Sequence, residues 1–343
     1  MEQRERQQLI LARQHLTVPA DRLTVCRDLN GLQAQFLSYT RHALAIRCRD
    51  GLGPDWGGGL VKSWTIRGTM HIFREEELPL FLHQDRTHFL RDVDQFVDDP
   101  YASLERKQLF AAYILDCIDQ GVAGREGLRR ACRERGMTAA EERSFFDSWG
   151  GLLRAMSESG MICYEVREEK VFRRCPEFVP MEREAARLEQ AGRYFTHYGP
   201  ATVRDAAYFF GAPQKQVRSW LDRLPVTRES CLGQDCFWID NGRRDAPEIP
   251  DCILLAGFDP LMLGYEKKDS LFFAPEHLRG VFNLSGIVLP CVLLDGQAAA
   301  RWKASGSKCA VTAFRPLRTR EKRAIEREVL RWFPETKQVV WEE

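Results

Sequence analysis

No apolar run in this 343-residue chain approaches the roughly 20 residues that a membrane-spanning helix requires. The longest, such as 288–294, are short and interrupted by proline. The opening Met1-Glu-Gln-Arg-Glu-Arg has no apolar stretch behind it, so no secretory signal is expected. Cysteine is not scarce, with eleven residues, but pairs at ligand spacing are. No two cysteines enclose two residues, and Cys231 and Cys236 enclose four with no second pair or histidine pair to follow. Neither a metal set nor a cofactor is expected, and reduced thiols in a cytoplasmic protein are. An excess of charge of one sign is also missing. The net charge is +1, which by itself does not announce a nucleic-acid partner.

What is present is ordinary for a folded protein: 44% apolar and 29% charged residues, in a length suited to two or three structural units. Charge is uneven locally. Between Gly124 and Gly136 lie Arg125, Arg129, Arg130, Arg133 and Arg135 against Glu126 and Glu134. Arg315 to Arg331 carries seven basic residues against three glutamates. Such clusters form either a one-sided phosphate-binding surface or solvated helix faces balanced by their own glutamates.

The chain repeats one order of elements three times: helices, then a short strand pair. The middle copy is clearest. Leu104, Leu109, Phe110, Tyr113, Ile114 and Cys117 have helical spacing, Arg125 to Arg135 is a short basic helix, and Thr138 with Glu141 reads as a capping box. The helix that Thr138 opens is expected to run through Phe145, Phe146, Trp149, Leu152, Leu153 and Met156. A hairpin then spans Met161–Val166 and Lys170–Arg174. In the third copy a helix over Arg183–Tyr198 precedes a second, capped by Thr202, and a third over Lys215–Leu224. A strand pair follows. The first copy reads as helices over Gln7–His15, Ala20–Asp28 and about Leu32–Cys48, with strands near Ser63–Phe73. Helix-turn-helix followed by a hairpin is the winged-helix arrangement, in which the third helix can enter a major groove. Beyond Asn241, short apolar runs between glycines and prolines suggest a small barrel, ending in a helix over Arg320–Phe333 and a strand over Gln338–Trp341. The expected fold is therefore α+β: winged-helix units at 1–98, 99–182 and 183–245, then a C-terminal β-barrel at 246–343.

Gly31-Leu-Gln-Ala-Gln35 is followed in order by Trp64-Thr-Ile-Arg-Gly-Thr-Met-His-Ile-Phe73, Tyr198-Gly-Pro-Ala-Thr202 with Asp205, Leu255 to Tyr265, Val292 to Gly296, and Trp302. In this order they resemble the AlkZ/YcaQ family of bacterial winged-helix DNA glycosylases over nearly the whole chain. The resemblance implies tandem winged helices carrying a C-terminal barrel. It also implies excision of N7-alkylated purines and, for AlkZ-like members, unhooking of interstrand crosslinks. The catalytic motif it implies is Gln-x-Gln in AlkZ-like members and Gln-x-Asp in YcaQ-like ones. Here Gln33-Ala34-Gln35 fits the former. Phe36 follows where AlkZ-like sequences often carry aspartate, and Ala300-Arg301 replaces the usual Gly-Thr before Trp302.

An N7-alkylpurine already bears a positive charge and leaves without a strong general acid. The enzyme must place a water and stabilise a sugar cation. Glutamine is no base at neutral pH, but it offers one acceptor and two donors. We assign Gln35 to water positioning and Gln33 to orienting the sugar or the water. Residues at i and i+2 do not share a helix face, so both can reach one water only where the backbone is irregular or near a helix start. Asn30-Gly31 permits that. No lysine is singled out as a Schiff-base nucleophile, so a monofunctional hydrolase is expected.

Other candidates have two readings each. His71 and Arg67 either contact phosphate near the lesion or are structural. Arg125, Arg129, Arg130, Lys215 and Arg218 are candidate DNA contacts. Asp259 either contributes to an active-site cleft or is a turn residue before proline. His83 and His88 are five residues apart, so with Asp85 and Asp92 they make no metal site. Trp149 and Trp220 are expected in the core. The expected partner is duplex DNA with alkylated or crosslinked bases, acted on by a monomer in the bacterial cytoplasm at the nucleoid, with no membrane involved. A non-catalytic winged-helix regulator and a protein-interaction scaffold are the alternatives. Salt-sensitive DNA binding separates the scaffold from the other two, and base release separates the enzyme from the regulator.

Overall fold

Two left-handed residues at the end of an ordinary helix shape the N-terminal segment. The structure, a computed structural model, describes residues 1–83, 101–148, 150–242 and 246–342. Asp85, His88, Asp92 and Trp149 lie outside the described residues. The chain folds as two compact units, Met1–Pro54 with Leu188–Glu343, and Asp55–Arg187. These limits fall inside the first and third tandem copies read from the sequence.

Helix α1 (Gln3–Arg13) leads to α2 (Arg22–Asp28), whose cap Asp21 accepts from the backbone of Leu23 and Thr24. A two-residue strand β1 (Leu32–Gln33) and helix α3 (Leu37–Ala45) follow. The sequence predicts one helix from about Leu32. It starts only at Leu37, because Asn30 and Gly31 take φ of 58° and 79° and Leu32–Gln33 are extended. The turn is a Schellman closure: the Gly31 amide donates to Cys26 and the Asn30 amide to Arg27.

The second unit begins with the antiparallel strands β2 (Leu60–Trp64) and β3 (Met70–Arg74) and a short helix α4 (Leu78–Phe81). Helices α5 (Leu104–Asp119), α6 (Arg125–Glu134), α7 (Ala139–Phe145) and α8 (Gly151–Glu158) precede the hairpin β4 (Ile162–Tyr164) and β5 (Phe172–Arg174). Strands β3, β2, β4 and β5 lie side by side in that order. Phe110, Ile114, Leu128, Phe145, Leu153, Met156 and Phe172 fill one core, as the helical spacing predicts. The long helix expected from Thr138 is instead two. Gly150 and Gly151 stand at φ 117° and 53°, and a Cβ at Gly151 would lie 2.2 Å from the carbonyl oxygen of Ser144. Only glycine can make this break.

The capping box of Thr138 and Glu141 is formed. Glu141 also receives a two-pronged contact from Arg106, and the two hydrogen bonds hold its carboxyl at about 2, against an ordinary 4.5. A carboxylate depressed in the folded state contributes its stability above about pH 4.5 and loses it as the pH falls towards 2. Urea titrations across that window are expected to show falling stability, with a shallower slope in Glu141→Gln. Equal slopes would refute the pairing as a source of acid sensitivity.

Helix α9 (Arg183–His197) runs from one unit into the other. Helix α10 (Val203–Phe210) carries a capping box of Thr202 and Asp205 and ends at left-handed Gly211. Helix α11 (Gln214–Leu221) then buries Trp220 against Phe210. The hairpin β6 (Thr227–Cys231) and β7 (Gln234–Trp238) turns through Leu232 and Gly233, both at positive φ.

The C-terminal region corrects one expectation. No closed barrel forms among the described residues. Strands β8 (Cys252–Leu255), β9 (Cys291–Leu294), β10 (Gln297–Ser305), β11 (Lys308–Ala313) and β12 (Gln338–Glu342) make an open sheet, ordered β12-β11-β10-β9-β8. A barrel would need the edge strands β8 and β12 to pair. The apolar runs at 270–274 and 286–289 do not form strands, and the edge strands β8 and β12 are not paired with each other. Between β8 and β9 lie short helices α12 (Pro260–Leu263) and α13 (Leu278–Val281). Helix α14 (Thr319–Trp332) buries Ile325 and Val329 in the sheet's core and makes the crossover that sets β12 parallel to β11. Val292 to Gly296 is the tight β9–β10 hairpin, with Asp295 and Gly296 at φ 48° and 80°.

Candidate active site

Gln33 and Gln35 stand on the extended segment between the Asn30–Gly31 turn and α3, the irregular backbone that their spacing demands. Gln33 Nε2 donates to Gln35 Oε1 at 2.8 Å. Gln33 is buried and Gln35 is exposed. The Gln35 side chain has no other partner among the described residues, so its amide NH₂ is available to a ligand. The pair therefore acts as one neutral, oriented dipolar unit with its outer member at the surface.

Long-range contacts hold this segment. Asn30 Nδ2 donates to the carbonyl of Gln190 at 2.9 Å, and Tyr198 Oη to the carbonyl of Leu29 at 3.0 Å. The Thr40 hydroxyl lies 3.0 Å from the Gln33 carbonyl and 3.1 Å from that of Phe36, bridging the motif to the first turn of α3. Helix α3 is fastened to the C-terminal sheet. His42 Nε2 bonds the Leu254 carbonyl at 2.8 Å, and its ring packs among Trp302, Trp332 and Phe333. Burial pushes the His42 pKa down, which keeps the ring a neutral donor. Trp302 Nε1 donates to the Leu255 carbonyl.

Below α3 lies a fully buried ion pair. Arg47 Nη2 reaches Asp259 Oδ1 at 2.6 Å and Nη1 reaches Oδ2 at 3.0 Å, with neither side chain exposed. Arg47 also donates to the carbonyls of Gln14 and Ala43, and Asp259 caps α12 through the Leu261 amide. Asp259 is thus a structural carboxylate rather than a group lining a cleft. Its neighbours explain the surrounding motif. A Cβ at Gly257 would strike the Tyr39 ring at 2.6 Å, and Phe258, at φ 55°, stacks on Phe36 with centroids 5.8 Å apart. Phe36 is 51% exposed, beside Gln35, so an aromatic face stands at the motif where an aspartate was the familiar residue.

The remaining candidates divide between the units. Lys215 and Arg218 are exposed on one side of α11, in the unit that holds the glutamines. Arg67, His71, Arg125, Arg129 and Arg130 belong to the other unit. His71 is buried on β3, its Nδ1 within 3.0 Å of the Thr65 hydroxyl and the Thr69 carbonyl. Arg67 is half-buried at φ 58° in the β2–β3 connection. Arg125 donates to the carbonyls of Phe146 and Asp147, closing the end of α7. Arg129 and Arg133 both grip Glu142. Arg130 is exposed without a partner among the described residues. Much of this basic cluster is therefore balanced by the unit's own acids and carbonyls. Sequence reading missed Thr40 and Arg47, and it noted Tyr198 within a motif without its contact to Leu29. A lone arginine ending the apolar Ala43–Ile46 run was the one available signal.

The family model described as DNA glycosylase AlkZ-like matches residues 26–333. An interstrand DNA cross-link repair glycosylase of Streptomyces sahachiroi is 26% identical over 337 residues, covering 88% of this chain and 86% of its own length. The solved structure of Streptomyces sahachiroi DNA glycosylase AlkZ matches 100% of this chain and 99% of its own, with a TM-score of 0.79 at 20% identity. No helix among the described residues is long and apolar enough to cross a membrane. With a family model that spans residues 26–333, most of its length, this chain belongs to the DNA glycosylase AlkZ-like family.

Proposed function

We propose that this enzyme hydrolyses the N-glycosidic bond of N7-alkylated purines in duplex DNA and that it accepts interstrand crosslinks, as does, by its name, the interstrand DNA cross-link repair glycosylase of Streptomyces sahachiroi. The observation that carries the reading is the Gln33–Gln35 hydrogen bond, which leaves an oriented amide at the surface of a braced turn. In the proposed step the C1′–N9 bond breaks and its electron pair neutralises the cationic purine. Water held by Gln35 adds to C1′ of the oxocarbenium, and its proton passes to solvent, since neither glutamine can take it. Gln33 fixes the rotamer of Gln35 and sets a dipole beside the developing charge. A water nucleophile makes the enzyme monofunctional.

DNA contact is assigned to the α10–α11 pair with its β6–β7 wing, where Lys215 and Arg218 are exposed, and to Arg130 on α6. The three-copy winged-helix organisation (1–98, 99–182, 183–245) is part of this proposal, as are the roles of Arg67 and His71 near the lesion, a monomeric state and action at the nucleoid. An outer glutamine, Gln35, that stands at the surface suits a base that a second strand prevents from flipping fully. The test is incubation with a duplex carrying a single N7-methylguanine, then alkali to cut abasic sites, with a crosslinked duplex in parallel. Strand cutting is expected in the first and unhooking in the second. Salt-sensitive binding without release from either would overturn the enzyme in favour of a regulator.

A further inference from the structure

Two histidines and an aspartate from distant parts of the chain converge within the Met1–Pro54 and Leu188–Glu343 unit. His15 follows α1, Asp28 ends α2 and His197 ends α9. His15 Nε2 lies 2.9 Å from Asp28 Oδ2, and His197 Nε2 lies 3.5 Å from Asp28 Oδ1. One ligand atom from each residue lies within 4.8 Å of the other two. The side chains are 3%, 6% and 14% exposed, in the order His15, Asp28, His197.

The outer hydrogen bonds decide what the inner atoms are. His15 Nδ1 faces the Val18 carbonyl and His197 Nδ1 faces the Arg13 carbonyl, each at 3.2 Å. A carbonyl only accepts, so each Nδ1 carries its proton, and a neutral ring then presents a bare lone pair at Nε2. Both lone pairs aim at one carboxylate, acceptor against acceptor. Arg27 relieves part of this, with Nε and Nη2 each 2.8 Å from Asp28 Oδ1. Protonating one ring would satisfy one contact and leave the other. A single cation among the three groups satisfies all of them. The imidazoles already have the arrangement of metal ligands, each held by its far N–H on a backbone carbonyl. A tetrahedral ion with bonds of about 2.0–2.1 Å holds its donors about 3.3 Å apart; here the two imidazole nitrogens lie 2.9 and 3.5 Å from the two different oxygens of Asp28, and one ligand atom of each residue lies within 4.8 Å of the others.

We propose that His15, Asp28 and His197 bind one divalent cation of the zinc class. Two imidazole nitrogens with one carboxylate favour zinc, cobalt or nickel over magnesium or calcium. The site would tie together the ends of α1, α2 and α9. It sits one residue before the Leu29–Asn30–Gly31 turn that presents Gln33 and Gln35, so its role is to brace the motif and not to react. No sequence motif announces it, because the ligands are spread over positions 15, 28 and 197.

The test uses the full chain stripped with a chelator and titrated with Co²⁺ and with Zn²⁺. Visible d–d absorption that saturates at one ion per chain is expected, without the near-ultraviolet thiolate charge-transfer band that cysteine ligands would give. Zinc at about a hundredfold excess over its Kd is expected to raise Tm by about 3–5 °C. His197→Gln and Asp28→Asn are each expected to abolish the stoichiometric signal, with circular dichroism confirming the fold. If those variants do not fold, the wild-type cobalt spectrum decides. Absence of stoichiometric binding, a thiolate band, or binding unchanged in folded variants would overturn the site. The readout is independent of base release, so its failure leaves the glycosylase proposal standing, and the reverse holds.

Discussion

Asp259→Ala is expected to destabilise the unit containing Gln33 and Gln35 by about 3–5 kcal/mol, the range for removing one partner of a buried ion pair. The Arg47 guanidinium would remain with no exposure and no counter-charge, and α12 would lose its cap. Paired removal separates charge burial from packing. Arg47→Met with Asp259→Leu is expected to recover a good part of the loss, because two apolar groups leave no unpaired charge. Recovery will be incomplete, since Arg47 also serves the carbonyls of Gln14 and Ala43. Denaturant midpoints measured for the single and double variants check this. A single-variant loss below about 1 kcal/mol would show that the pair contributes no more than an exposed ion pair does.

Gln33→Ala is expected to slow base release from N7-methylguanine DNA by about 10²–10³-fold, the range for losing one preorganised dipole at a reacting centre. It removes one amide and also the donor that orients the other. Gln35→Ala is expected to fall in the same range. The double variant should be little worse than either single, because the two act as one unit. Gln35→Asp keeps an acceptor for Gln33 Nε2 and is expected to lose less than Gln35→Ala. Salt-dependent DNA binding and Tm should stay close to wild type for Gln35→Ala, since that side chain is exposed. Single-turnover rates at saturating enzyme separate chemistry from binding. Unimpaired release by the double variant would remove the motif from the mechanism.

Much of the local structure was legible because its causes are local. The Thr138–Glu141 box, the helical spacing from Leu104 to Cys117 and the β6–β7 hairpin each depend on residues within a few positions. So was the demand that Gln33 and Gln35 sit on irregular backbone. The misreadings share a cause. The helix predicted from Leu32 starts late because Leu32–Gln33 run extended out of the left-handed Asn30–Gly31 turn, and the one predicted through Phe146 and Leu152 is broken by Gly150 and Gly151 at positive φ; apolar periodicity registers neither conformation. The barrel failed for another reason: the apolar run at 270–274 is largely buried as irregular chain and that at 286–289 buries only Val288, and an apolar run alone does not make a strand.

By itself, the sequence determined the helices, their caps, the hairpins, the family and the motif at which chemistry is proposed. Only the tertiary structure decided that Asp259 lies inside on Arg47, that His42 fastens α3 to the Leu254 carbonyl, that Tyr198 props Leu29, and that His15, Asp28 and His197 face one another. Caps and periodicity act over three or four residues and leave their mark in local order. Partners separated by about 170 to 210 positions are matched by packing, and nothing in the intervening chain encodes the match.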